Sequence, residues 1–389
     1  MENSNHPRIL ILSASVGSGH IRAAAAIEAA LAQIAPEAAV TNVDVLQLTN
    51  NVFRRAYGAG YFRAAQRTPN LVGMMYDYLD RPIDGRFTTR ARLAFERLNF
   101  TRLNRLLTDQ PWDLAINTHF LPSHLIARLS KNQTVHFPQV TVVTDFDVHG
   151  MWVHEGCERY FVATPETRAN VIAGGVPPEK AIVTGIPIDP IFSEHRDRNE
   201  IIHRLGLATD RPIILQMAGG FGVGSAEKIH QMICDVEHPL QIITVTGKNA
   251  DAKESIQQMD CHPRHYRRIL GYSHQMHDLL AAADIVVTKP GGLTTSECLA
   301  SGCAMIVVEP IPGQEDRNAD FVLENGCAMK VNNLASLTYK LNALLGEPQR
   351  LQRMRSAALQ CARPRAAFDV AAQCIELIES RSSAAWRNL

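Results

Sequence analysis

The chain has 389 residues with 39 basic and 39 acidic side chains, so its formal net charge is zero and global charge names no partner. That length is ample for two cores and predicts two domains, and the ordinary apolar share fits a soluble α/β protein. The eight cysteines include no CxxC pair. Cys261-His262-Pro263-Arg264-His265 has no second ligand pair at zinc-finger spacing, so buried thiols are expected and a metal is not.

Met1–Arg8 is polar and leads straight into a strand, with no basic-then-apolar leader, so no signal peptide is expected. No apolar run approaches the roughly 18 residues that span a bilayer. Arg8–Ser15 is the first strand, Val16–His20 a glycine turn and Ile21–Ala35 an alanine-rich helix. Strand, glycine loop and helix open a doubly wound domain, although the spacing is not GxGxxG. His20 follows Gly17 and Gly19 at a strand's carboxyl end. A helix N-terminus favours the neutral imidazole, which accepts a proton from an attacking hydroxyl. The structural alternative is a histidine that bonds backbone.

Ala39–Val45 is a second strand. The insertion 51–107 then breaks the alternation: it holds eleven arginines, no lysine and four acids, interleaved with aromatics. Arg54, Arg55, Tyr61 and Phe62 typify a surface suited to anionic membrane lipids. A solvated helical insertion is the alternative; no nucleic-acid motif accompanies the arginines, so nucleic acid is not an expected partner. Asp113–His119 and Gln139–Asp145 resume the strands, and the loop Phe146–His154 follows, carrying Trp152. Asp145 is placed to accept from a substrate hydroxyl or to orient His20; Trp152 either lies at lipid headgroup level or is a core aromatic. Arg159–Thr164, Pro165–Gly174 and Ala181–Gly185 complete the first domain, 1–190, and Ile186–Pro190 is a stiff proline linker.

The second domain, 191–364, begins with strand Ile213–Ala218 and a glycine-rich loop, Gly219, Gly220, Phe221, Gly222, whose N–H groups suit a diphosphate. Leu240–Gly247 is the next strand, ending at Gly247. Ile269–Tyr272 leads to a helix over His274–Ala283. Ile285–Thr288 is a buried strand, ended by Pro290, Gly291 and Gly292. Thr294 or Thr295 is the expected helix cap, and the helix runs through Glu297. Ala304–Val308 is another strand, and an acidic loop carries Gln314, Glu315 and Asn318 beside it. Helix N-terminus, carboxylate and amide at one sheet edge form a set that a nucleotide-sugar needs; an ordinary Rossmann-like unit with a solvated loop is the alternative. A last helix lies in 365–389.

The blocks P-G-G-L-T-T-S-E (Pro290–Glu297) and P-G-Q-E-D-R-N (Pro312–Asn318), with S-A-S-V-G-S-G-H at Ser13–His20, resemble the monogalactosyldiacylglycerol synthases and processive diacylglycerol glucosyltransferases, GT-B enzymes related to glycosyltransferase family 28. The resemblance implies two Rossmann-like doubly wound domains facing a central cleft, with the last helix crossing back to the first domain. It implies inverting transfer of hexose from UDP-galactose or UDP-glucose to diacylglycerol by a peripheral protein on the inner face of the cell membrane. His20 would be the base, and the T-D…W-x-H run would face the lipid. Glu297 would hold the ribose, Gln314, Glu315 and Asn318 the sugar, and Tyr272 and Met276 the base of the nucleotide. No obligatory metal or other cofactor is expected. Transfer of N-acetylglucosamine to an undecaprenyl-linked precursor, a UDP-sugar epimerase and a nucleotide-sugar sensor are the alternatives.

Overall fold

The computed structural model describes residues 6–50, 100–218 and 225–387. The chain forms two compact units, Met1–Pro190 with Pro364–Leu389, and Ile191–Arg363. The first contains β1 (Arg8–Ser13), α1 (Ser18–Ile34), β2 (Ala39–Asp44), α2 (Thr101–Thr108), β3 (Leu114–Asn117), α3 (Phe120–Lys131), β4 (Gln139–Val142), β5 (Arg159–Val162), α4 (Pro165–Ala173) and β6 (Ala181–Val183). Its strands lie in the order β2-β1-β3-β4-β5-β6, every pair parallel. An unbroken apolar run such as Ile9–Leu12 suits a strand covered on both faces. Successive side chains alternate: Ile9 and Ile11 pack with Ile27 and Leu31 of α1, while Leu10 and Leu12 pack with Leu103 and Leu107 of α2 and Leu125 of α3.

The second unit contains α5 (Arg198–Arg204), β7 (Ile213–Met217), α6 (Ala226–Cys234), β8 (Gln241–Val245), α7 (Ala250–Gln258), β9 (Tyr266–Leu270), α8 (Met276–Ala282), β10 (Ile285–Thr288), α9 (Gly292–Ala300), β11 (Ala304–Val308), α10 (Gln314–Glu324), β12 (Ala328–Val331), α11 (Leu337–Leu345) and α12 (Pro348–Cys361). Its parallel sheet has the order β12-β11-β10-β7-β8-β9. At the amino end of β10, Asp284 accepts from Arg198 at 2.7 Å, Arg355 at 2.8 Å and the Ile213 N–H at 2.9 Å, which ties α5, α12 and β7 to one carboxylate.

After α12 the chain returns to the first unit as α13 (Ala366–Arg387). Ala367, Val370, Ala371 and Cys374 recur at helical spacing and join Leu377 and Ile378 against α1 and the Ile9/Ile11 face of β1. Burial of Val370, Leu377 and Ile378 contributes roughly 1.5–3 kcal/mol each. Arg159 of β5 donates to the Gln373 carbonyl at 2.7 Å and fixes the helix along the sheet.

Three boundaries differ from the sequence expectations. α1 starts at Ser18 rather than Ile21, so the glycine turn forms its entrance. α9 starts at Gly292, with Gly291 at its N-cap, so Thr294 and Thr295 lie inside the helix and neither caps it. The expected acidic loop is the helix α10: Gly313, at φ 93°, turns the chain, and Glu315 and Asp316 in the first turn complement the positive end of the helix dipole.

Candidate active site

Each sheet reverses its winding once, between β1 and β3 in the first unit and between β7 and β10 in the second. Connections diverge at such a point and leave a ligand-sized crevice beyond the carboxyl ends of the strands. His20 lies at the first of these places and Gly291–Glu297 at the second, while Tyr272 and Met276 follow the edge strand β9.

In the first unit, His20 is the third residue of α1, and Thr118 follows β3 across the switch point. His20 Nδ1 lies 2.8 Å from the Thr118 carbonyl and 2.9 Å from Thr144 Oγ1, while Thr118 Oγ1 donates to the His20 carbonyl at 2.9 Å. A carbonyl only accepts, so Nδ1 carries the proton and Nε2 holds the lone pair. Nε2 has no hydrogen-bond partner among the described residues. Burial of the ring lowers the His20 pKa to about 4 against the opposing Thr118 bond, so the imidazole is neutral at pH 7. Gly17, the N-cap of α1, has an extended backbone that any residue adopts, and a Cβ there would meet nothing within 4 Å. That glycine and Gly19 keep the entrance to the helix free of side-chain bulk.

His119, 3% exposed, stands edge-on to His20 with ring centroids 4.6 Å apart. Its Nδ1 accepts from Leu121 N at 3.0 Å and caps α3, which puts the proton of the neutral ring on Nε2. Burial and then the neighbouring imidazoles of His20, His149 and His124 hold its pKa well below 6.5. Asp145 is buried beside Thr144. The orienting role expected of it falls to Thr118 and Thr144, which take both contacts of His20 Nδ1. Trp152 is corrected more sharply. It is 1% exposed, within the core formed by Val143, Cys157 and Tyr160, its centroid 6.2 Å from that of His20. It supports the histidines from beneath and lies at no lipid surface. His154 accepts from Ser123 Oγ at 2.6 Å and is structural. Arg54, Arg55, Tyr61 and Phe62 lie outside the described residues.

In the second unit, α9 begins at Gly291–Gly292 without a side-chain cap or an acid in its first turn, so its leading N–H groups are left for an anion. Glu297 is 1% and Thr295 0% exposed one turn inside. The turn closes on α10: a Cβ at Gly291 would sit 3.8 Å from Glu315 Oε1. Glu315 Oε2 accepts from Ile311 N at 2.7 Å; burial raises its pKa, opposed by that N–H and by Lys289. Gln314 and Asn318 are one helical turn apart on α10, Asn318 fully buried. Gly247 ends β8 at φ 61°, and its carbonyl lies 3.6 Å from the Cβ position of Gly271. Tyr272, 61% exposed, lines a cavity of about 270 Å³ with Gly271, Gln275, Arg204, Lys253 and Arg268; Met276 opens α8 just beyond. Gly219, Gly220, Phe221 and Gly222 lie outside the described residues. Among the described residues, no three His, Cys, Asp or Glu side chains cluster as metal ligands, and no helix is long and apolar enough to cross a membrane.

Two parallel six-stranded sheets with their helices, each reversing its winding once, define the GT-B fold. The fold is shared with MurG of Acinetobacter baumannii, at a TM-score of 0.63 and 18% identity over 95% of this chain and 99% of that one. It is shared also with the Anabaena protein HepE, described in complex with UDP-glucose, at 0.54 and 14% over 97% and 100%. In sequence, the profile of monogalactosyldiacylglycerol (MGDG) synthase matches residues 20–188, and that of the glycosyltransferase family 28 C-terminal domain matches 223–370. The processive diacylglycerol beta-glucosyltransferase of Bacillus licheniformis is 29% identical over 355 residues, 90% of each chain. Over most of its length the chain resembles the MGDG synthases and processive diacylglycerol glucosyltransferases, and it is a glycosyltransferase of the GT-B fold.

Sequence reasoning missed Thr118 and Thr144 as the groups that fix the tautomer of His20, and Glu309, which bonds Ser225 at the start of α6. His119 had a visible signal: it ends a strand one connection away from His20.

Proposed function

We propose that the protein transfers a hexose from UDP-glucose or UDP-galactose to the hydroxyl of diacylglycerol, with inversion, to form a glycosyldiacylglycerol. The observation that carries this reading is the donation of the His20 Nδ1 proton to the Thr118 carbonyl, which reserves Nε2 as a base. In one displacement, Nε2 takes the hydroxyl proton while the acceptor oxygen bonds the anomeric carbon. The carbon–oxygen bond to UDP breaks, and UDP leaves with the electron pair. The uncapped N–H groups of α9 and the glycine-rich loop 219–222 stabilise the negative diphosphate, so the reaction requires no metal. Glu297 takes the ribose hydroxyls, Gln314, Glu315 and Asn318 the sugar, and Tyr272, Met276 and Gly247 surround the uracil. The family's named glucosyltransferases, about 28–29% identical, put UDP-glucose ahead of UDP-galactose. Arg54, Arg55, Tyr61 and Phe62 meet anionic lipid, and the protein acts as a peripheral enzyme on the inner face of the cell membrane.

The test is a donor screen with the whole chain, diacylglycerol in anionic vesicles, and UDP-glucose, UDP-galactose or UDP-N-acetylglucosamine. A glycolipid formed with one hexose donor is expected. Conversion of a UDP-sugar without vesicles, and no glycolipid with any donor, would overturn the lipid acceptor and favour an epimerase.

A further inference from the structure

At the end of β11, Glu309 has a φ of 44°. A residue with a Cβ enters that left-handed region only against steric resistance, and does so where its surroundings over-determine it. The surroundings here are specific. β11 and β7 are separated by β10 in the sheet, and the Glu309 side chain bonds the residue that opens α6, the helix after β7. Its Oε1 accepts from Ser225 Oγ at 2.7 Å and its Oε2 from Ser225 N at 3.2 Å.

Ser225 occupies the N-cap of α6, where a serine ordinarily turns its hydroxyl back to the first-turn N–H groups. It makes no such bond; its hydroxyl is turned to donate to Glu309. Glu309 therefore takes both donors, N–H and O–H, of the residue that joins the glycine-rich stretch 219–224 to its helix. The left-handed turn at the end of β11 accompanies this contact.

We propose that Glu309 is a positioning residue for the nucleotide-sugar donor: it fixes Ser225, and with it the point from which the diphosphate-binding glycine stretch leaves α6. The inference rests on the donor reading given above. It does not require Glu309 to touch the donor.

UDP binding by calorimetry and thermal melting of the whole chain at pH 7 test it in four variants. Glu309→Gly removes the carboxylate and accommodates the left-handed backbone without strain. It is expected to weaken UDP binding about tenfold, the scale of one lost charged hydrogen bond, while melting no lower than the unaltered protein. Glu309→Asn, which tolerates the same backbone but is too short to reach Ser225, is expected to lose as much. Glu309→Gln retains an acceptor at the same reach and stays within about threefold. Glu309→Gly combined with Ser225→Ala binds no more weakly than Glu309→Gly alone, because both act through one contact. UDP binding as tight in Glu309→Gly and Glu309→Asn as in the unaltered chain overturns the inference and leaves the donor reading standing; tighter binding does so too, and makes the carboxylate a competitor of the phosphates. No UDP binding by the unaltered chain removes the donor reading and the inference with it.

Discussion

The two switch points occupy the same place in two similar sheets, yet their chemistry is opposite. Around His20 the first gathers imidazoles held uncharged by burial, threonine hydroxyls and a buried tryptophan, with the carboxyl of Asp145 buried beside Thr144. The second is built from an uncapped helix start and the carboxylates of Glu297, Glu309 and Glu315. A base that must collect a proton from a poorly acidic hydroxyl is useful only when uncharged, so burial of the His20 ring suits it. A diphosphate and a ring of sugar hydroxyls need fixed dipoles and acceptors instead. The shared topology supplies only the crevice, and the side chains at the strand ends decide which half of a reaction it serves.

The largest test of that division is His20→Ala. It is expected to lower kcat/KM by about 10²–10⁴ while UDP binding persists, measured by glycolipid formation and calorimetry. Loss of UDP binding would erase the division. Glu297→Gln is the converse, expected to weaken UDP binding about tenfold or more, in keeping with loss of a charged hydrogen bond. Thr144→Val removes one of the two contacts of His20 Nδ1 and leaves Thr118; a fall in kcat/KM of about fivefold is expected, with the KM for UDP-sugar unchanged.

The pH profile sharpens the neutral side. His20 is basic above about 4 and protonated below it, so the acid limb of kcat/KM should centre near pH 4 rather than 6.5. The stability of the first unit should fall as pH drops from 6.5 towards 4. Over that range the unfolded chain protonates His20 and His154, whose folded pKa values are both about 4, while the folded chain does not. The slope is about 1.4 kcal/mol per pH unit for each such histidine, readable from urea unfolding. The smallest expected effect is that of EDTA, which should leave turnover within about twofold if helix dipoles carry the diphosphate.

Buried strands were plain in the sequence. Ile285–Thr288 and Ala304–Val308 are apolar runs that match β10 and β11 residue for residue. The edge strand β9 was partly hidden because Tyr266 and two arginines open it; Arg267 and Arg268 donate to the carbonyls of Met259 and Leu205, which no periodicity announces. Helix starts were displaced where glycine takes the cap, since Gly17 and Gly291 offer no side chain to signal it. His20 was legible from its glycine turn and its resemblance. The partners that fix its tautomer were not: a carbonyl has no sequence signature, and Thr118 and Thr144 stand 98 and 124 positions away. Glu309 reads as an ordinary acid before a proline, because neither its left-handed backbone nor its contact with Ser225 is written in its neighbours.

The return of α13 to the first unit has a consequence for the order in which the protein is made. Ile191–Arg363 is one continuous stretch and has all its strands once Arg363 has left the ribosome. The first unit is begun earlier but cannot close its core until the residues after Pro364 emerge, since Ile9, Ile27 and Leu31 wait for Val370, Leu377 and Ile378. A chain truncated after Arg363 and released would therefore hold a finished second unit and a first unit with one apolar face bare, open to chaperones and to aggregation.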